Sequence, residues 1–193
     1  MQRYLHYLIL VCVFYFFILP VTSWSAVHIK GSISNNKYTS PNGELSVSIP
    51  SIKSIQISDG NAGNMYMVSF IPSDAFVGLY ESAGYLIEWF KLSKPPTDTL
   101  FIRGLPDEMR LVQLPKQDGL MKKPSCKFIK IHDTRGYQCM SYGMINNIPM
   151  GFTGTIFSFK GQLIMVFVNY ITKESNMPWA EYNHLIDSIH VNK

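Results

Sequence analysis

The chain has 193 residues, of which 47% are hydrophobic, 13% aromatic and 16% charged, and its formal net charge is +4. That length suits one domain with a real core, and that composition excludes an intrinsically disordered chain. The mild charge favours neither a nucleic-acid partner nor a membrane surface.

Met1-Gln2-Arg3 is a short basic start, and Tyr7 to Leu19 follows without a charge. Pro20 ends the apolar run, and Ser23 and Ser25 set small residues before a cut at Ala26. Residues 1–25 therefore read as a secretory signal peptide, or, if uncleaved, as an N-terminal membrane anchor at the lower edge of what spans a bilayer. Cys12 stands inside the apolar run rather than after small residues at its end, so no lipobox is read. Cleavage removes Arg3 and no acid, lowering the net charge by one. Residues 26–193 read as a single domain.

Val27 to Lys37 is polar, contains Asn35-Asn36, and reads as a tether or a first edge strand. Tyr38 to Glu44 (YTSPNGE) reads as a turn, because Pro41 presets φ and Asn42-Gly43 accepts positive φ. Leu45, Val47 and Ile49 alternate with Ser46 and Ser48 as a half-buried strand stopped by Pro50. Ile52, Ile55 and Ile57 continue in extended form, and Ser58 to Asn64 is a loop dense in turn formers. Met65 to Ile71 is a strand ended by Pro72. Ala75 to Tyr80 is ambiguous between strand and helix. Tyr85 to Leu92 (YLIEWFKL) is a strand with apolar residues on both faces, so each face needs a cover, a helix or a partner.

Ser93 to Thr99 holds Pro95-Pro96 and reads as a loop. Pro106-Asp107-Glu108 suits a helix first turn, with proline at its start and acids beside the positive end of the dipole. Met109, Leu111, Val112 and Leu114 carry that helix until Pro115. Lys116 to Ser125 is a basic loop. Lys127 to His132 and Tyr137 to Ile145 form a hairpin around Asp133-Thr134-Arg135-Gly136. A second hairpin joins Phe157-Ser158-Phe159 to Leu163 to Val168 through Lys160-Gly161. A closing helix carries Trp179, Tyr182, Leu185, Ile186 and Ile189 on one stripe, with Glu181, Asn183, Asp187 and His190 facing away. Of these, Trp179→Ala is expected to loosen the helix most. The sum is an α+β fold, a twisted antiparallel sheet of about six to seven strands with a C-terminal amphipathic helix on it.

The run Tyr38 to Gly43 before an alternating strand, together with the glycine-turn hairpin, loop and closing Leu185-Ile186-Asp187-Ser188-Ile189, resembles PsbP-like domains. The resemblance follows the order of elements over most of residues 26–193 and departs in the proline-rich middle from Pro95 to Pro124. It implies a twisted antiparallel sheet with helices against it. It also implies an exported or organelle-lumen accessory protein without catalysis, and it carries over no site residue.

Chemistry is sparse. No His-x-x-x-His, Cys-x-x-Cys or Gly-x-Ser-x-Gly spacing occurs, so no metal, cofactor or serine nucleophile is read. His132-Asp133 and His184 with Asp187 read as turn and helix surface. With Cys12 gone, Cys126 and Cys139 remain in an exported chain, which suggests a disulfide. The hairpin register speaks the other way: a turn at residues 133–136 sets Cys126 opposite Gly143. Bridged and free forms both stand at this point. A free Cys139 with His132 would be an alternative, enzymatic reading. Lys116, Lys122, Lys123, Lys127 and Lys130 form a basic cluster open to an anionic partner, or a solvated loop. Phe76, Tyr80, Tyr85, Trp89 and Phe90 read as core. The expectation is an exported, non-enzymatic binding or accessory domain, periplasmic or secreted, with an unknown envelope partner, no nucleic acid and no cofactor. It touches a membrane only through residues 1–25 if these are retained.

Overall fold

A computed structural model describes residues 30–51, 55–62, 64–72, 83–112, 123–145, 148–171 and 179–192. The reading of residues 1–25 as signal or anchor lies outside them, as do Ala75 to Tyr80 and the loop residues Lys116 and Lys122. No helix among the described residues is long and apolar enough to cross a membrane.

Two antiparallel sheets carry the fold. The smaller contains β1 (Ser32–Ser34), β2 (Lys37–Thr39), β3 (Leu45–Ser48) and β11 (His190–Val191), in the order β1-β2-β3-β11. The larger contains β4 (Ile55–Ala62), β5 (Met65–Pro72), β6 (Gly84–Lys91), β7 (Ser125–Ile131), β8 (Thr134–Ile145), β9 (Ile148–Phe159) and β10 (Gln162–Ile171). Its order is β4-β5-β6-β10-β9-β8-β7, so β6 and β10 stand near its middle. Two helices accompany the sheets among the described residues, α1 (Asp98–Val112) and α2 (Trp179–Asp187).

The seven-stranded sheet meets the expected strand number, and the four-stranded sheet is an addition to it. Tyr38 and Thr39 belong to β2, with Tyr38 fully buried, and the turn begins only at Ser40. There Gly43 takes φ 69° and donates its N–H to the Ser40 carbonyl at 2.8 Å. Ser58 to Ala62 is strand rather than loop. Its polar residues suit an edge position, where only one side of the strand is paired.

Three hairpins share one device. Asn35-Asn36, His132-Asp133 and Lys160-Gly161 all have positive φ at both positions, the type I′ geometry that matches strand twist. The middle one corrects the β7–β8 register. The turn is His132-Asp133, so Ile131 pairs with Thr134 and Cys126 pairs with Cys139. Glycine at 136 pointed to a later turn, yet histidine and aspartate also tolerate the left-handed region. Counting outward from the turn, Cys126 and Cys139 fall on a pair without mutual hydrogen bonds, where opposing Cα atoms come closest. Their Cα atoms are 4.0 Å apart and the two cysteines are bridged.

Helix α1 starts at Asp98 rather than at Pro106, which falls inside it. The first turn is set by Asp98 and by the Leu100 N–H donating to Thr97 O at 2.9 Å. Phe101 and Leu105, one turn apart, are buried and anchor the helix over β8 and β9. At Gly154 a Cβ would sit 3.0 Å from Leu105 Cδ1 and 3.1 Å from Phe167, so the absent side chain admits the helix.

Each face of the large sheet has its own core. One face packs Phe70, Tyr85, Ile87, Trp89, Phe157, Ile164 and Val166 against α2 and the small sheet. The other packs Met65, Met67, Cys139, Phe152, Ile156, Leu163 and Met165, with Phe101 and Leu105 of α1. Helix α2 buries Tyr182, Leu185 and Ile186 on the first face. The Tyr182 hydroxyl donates to Thr155 Oγ1 at 2.7 Å and lies 3.1 Å from Val166 O. Trp179 is only partly buried and meets Tyr182 edge-on at 6.2 Å. Tyr182, not Trp179, is thus the residue that seats the helix.

Candidate functional site

Strand β6 is paired on both sides, by β5 and by β10. Alternation sends Tyr85, Ile87 and Trp89 to the α2 face and Leu86, Glu88 and Phe90 to the other. Glu88 is the anomaly in this arrangement. It is 1% exposed, in the central part of the sheet, and neither carboxyl oxygen has a hydrogen-bond partner among the described residues. Buried carboxyls are ordinarily paired or hydrogen-bonded, because an isolated buried charge is very costly.

Its surroundings are apolar and sulfur-rich. Met67 on β5 and Met165 on β10 stand directly opposite Glu88, one on each side. Met65 is a diagonal neighbour on the same face. All three methionines are buried. Desolvation by this burial raises the Glu88 carboxyl from 4.5 to about 7. The group is therefore a neutral acid in mildly acidic solution and a buried anion above neutrality, where it needs a cation or a donor. Such a perturbed, unpartnered group is the strongest candidate for a functional position in the described chain.

The residues singled out from sequence fall elsewhere. Cys139 is fully buried in the disulfide with Cys126, on the α1 face of the sheet. His132 lies on the opposite face, stacked on Phe159 at 4.7 Å, with Nε2 2.9 Å from the Ile186 carbonyl at the end of α2. The fold does not bring Cys139 and His132 together. Of the lysine cluster, Lys123, Lys127 and Lys130 are exposed, but Lys127 and Lys130 project from opposite faces of the edge strand β7. Lys130 is paired with Asp133 at 2.8 Å, so its charge is partly answered within the chain. Three or more His, Cys, Asp or Glu side chains gather nowhere among the described residues. Tyr85 and Trp89 are core, with Trp89 stacked on Tyr66 at 5.8 Å, and Phe90 is half-buried; Phe76 and Tyr80 lie outside the described residues.

No protein-family profile matches the chain, and no curated protein matches it in sequence. Solved structures do match its fold. The solution structure of cyanobacterial PsbP from Synechocystis is similar with a TM-score of 0.53 at 11% identity, over 90% of this chain and 100% of that one. The fold is PsbP-like. A crystal structure from Bacteroides thetaiotaomicron matches 83% of this chain with a TM-score of 0.54 at 11% identity, and this chain spans 50% of its length. At such identity the PsbP-like likeness is one of fold, and Glu88 and its methionines belong to this chain's own reading.

Proposed function

We propose that this chain is an exported accessory domain of the cell envelope, periplasmic or secreted, that works by binding rather than by turnover. The Cys126–Cys139 bridge carries the reading. Disulfides persist in oxidising compartments and are rare where thiols are kept reduced. A bridge in a chain that opens with a secretory-type segment fits passage out of the cytosol. The PsbP-like fold supports the accessory role by analogy of architecture, and analogy of architecture supports no particular ligand.

Intact mass of the protein recovered from its native envelope fraction, without reductant, tests the reading. The expected mass lacks residues 1–25 and two further hydrogens. A full-length mass with Cys126 and Cys139 as free thiols would overturn export with cleavage. Robust turnover in a panel of hydrolase substrates would overturn the binding role.

A further inference from the structure

We propose that Met67, Glu88 and Met165 form a binding site for one soft monovalent metal cation, Cu(I) or its redox-silent counterpart Ag(I). The proposal concerns the site's ligand and does not depend on export.

The register supplies the geometry. Met67, Glu88 and Met165 lie in one row across β5, β6 and β10, each methionine directly opposite the glutamate. Directly opposed residues have Cβ atoms about 4.5–5.5 Å apart, so both thioethers can reach the space over the carboxyl. Methionine has three rotatable side-chain bonds, which lets each sulfur adjust its position toward the carboxyl. Across from Met67 on the outer side stands Gly60, where the nearest atom to an added Cβ is Met67 Cγ at 4.0 Å. Gly60 itself sets no side chain against Met67. Met65, on the same face and diagonal to Glu88, can supply a third sulfur.

The chemistry selects the cation. Thioether donors suit Cu(I), whereas calcium and magnesium ask for several oxygens and zinc for imidazole, thiolate or carboxylate sets. This face offers one carboxylate and no grouping of three hard or borderline donors among the described residues. One carboxylate neutralises one monovalent charge, which removes the cost of either charge buried alone. The unpartnered, buried Glu88 oxygens are what a cation would answer.

The test uses the full chain with its disulfide intact and Cys12→Ser, so that no free thiol competes. Ag(I) is titrated by calorimetry, and Cu(I) is offered from a competing chelator. Carbon-13 methyl labelling of methionine reports which sulfurs respond. The expected result is one tightly bound ion, with shifts at the Met67 and Met165 methyls. Loss of an outer-shell partner at metal sites costs about 10–100-fold, so Met67→Leu, Met165→Leu and Glu88→Gln should each weaken binding by about tenfold or more. Leucine for methionine conserves volume and leaves the fold intact. Met144→Leu, at an exposed methionine, should bind as the parent does. The proposal is overturned if no ion binds stoichiometrically. It is overturned equally if binding is unchanged in Met67→Leu and Met165→Leu, which would place the ion on surface methionine or histidine.

Discussion

Glu88 shows what one residue can impose on a sheet. In the metal-free protein, burial holds its carboxyl at about 7 against an ordinary 4.5. The native state thus keeps a proton that the unfolded chain has already lost. Its contribution to stability is full below pH 4.5 and is lost as pH rises to about 7, beyond which the penalty stays constant. The interval corresponds to roughly 3 kcal/mol. Glu88→Gln cannot titrate, so the variant should gain on the wild type by that amount across the interval. Urea unfolding of both proteins at stepped pH measures it, and a pH-independent difference would contradict the burial of an unpartnered acid. The sequence held a signal for this residue. Leu86, Glu88 and Phe90 share a face in YLIEWFKL, and an acid between two apolar neighbours on a covered face is out of place. What the residues could not show is the company: Met67 and Met165 come from strands far apart in the chain, and only the order β5-β6-β10 sets them beside Glu88.

At the scale of elements, turn chemistry decides register and register decides the disulfide. The β7–β8 and β9–β10 hairpins were legible as apolar runs of strand length, but their centres were not equally so, and the β1–β2 hairpin at Asn35-Asn36 was read as a tether or edge strand. Lys160-Gly161 marks its own turn with glycine, whereas His132-Asp133 adopts the same geometry without one and was displaced by the nearby Gly136. Two residues of displacement moved Cys126 from Cys139 to Gly143. Because the I′ turn and strand pairing set the register, replacing both cysteines by alanine should keep the hairpin and lose only the cross-link. The expected cost for a bridge spanning 13 residues is roughly 3 kcal/mol by loop entropy. Denaturant unfolding should show the lower midpoint, and amide exchange should keep the same pairing. The closing helix was legible in its stripe from Trp179 to Ile186 because its apolar spacing is strong, but the helix ends at Asp187, so Ile189 lies beyond it and His190 belongs to β11. Its key residue was misassigned, because size suggested Trp179 while depth belongs to Tyr182. Tyr182→Phe removes the hydroxyl that meets Thr155 and Val166 and should cost about 1–2 kcal/mol, from lost hydrogen bonding alone. Thermal unfolding should place Tyr182→Ala below Trp179→Ala.

Over the whole molecule, the large sheet is closed on one face by α1 and on the other by α2 with the small sheet, and the small sheet is tied on by few polar contacts. It joins the chain's two described ends, since β11 pairs with β3 and Asn192 N–H donates to Glu44 O at 2.8 Å. That pairing was not legible: β11 is two residues long, and short strands leave no period to read. Lys160 Nζ at the β9–β10 turn donates to Val191 O at 3.1 Å, and Gln162 Nε2 on β10 donates to Glu44 Oε2 at 3.3 Å. A further tie to the large sheet is Asp59 on edge strand β4. Its carboxylate accepts from Lys30 N–H at 2.8 Å, Gly31 N–H at 2.6 Å and the Tyr38 hydroxyl at 2.8 Å. Burial first, and Asp59 beside it second, push the Tyr38 hydroxyl well above its usual range, so it stays a proton donor to that carboxylate. Tyr38 is fully buried and edge-on to Phe70 at 6.5 Å, and therefore links polar tie and apolar core. Asp59→Ala removes the acceptor and strands a buried hydroxyl, which should cost about 1–3 kcal/mol. The loss should be local. Amide exchange should accelerate at Lys30, Gly31 and the β1–β2 hairpin, while the β6–β10–β9 amides, held by both cores, keep their protection. Uniform acceleration across both sheets would instead mean that the two fold as one cooperative unit, with Asp59 serving the whole.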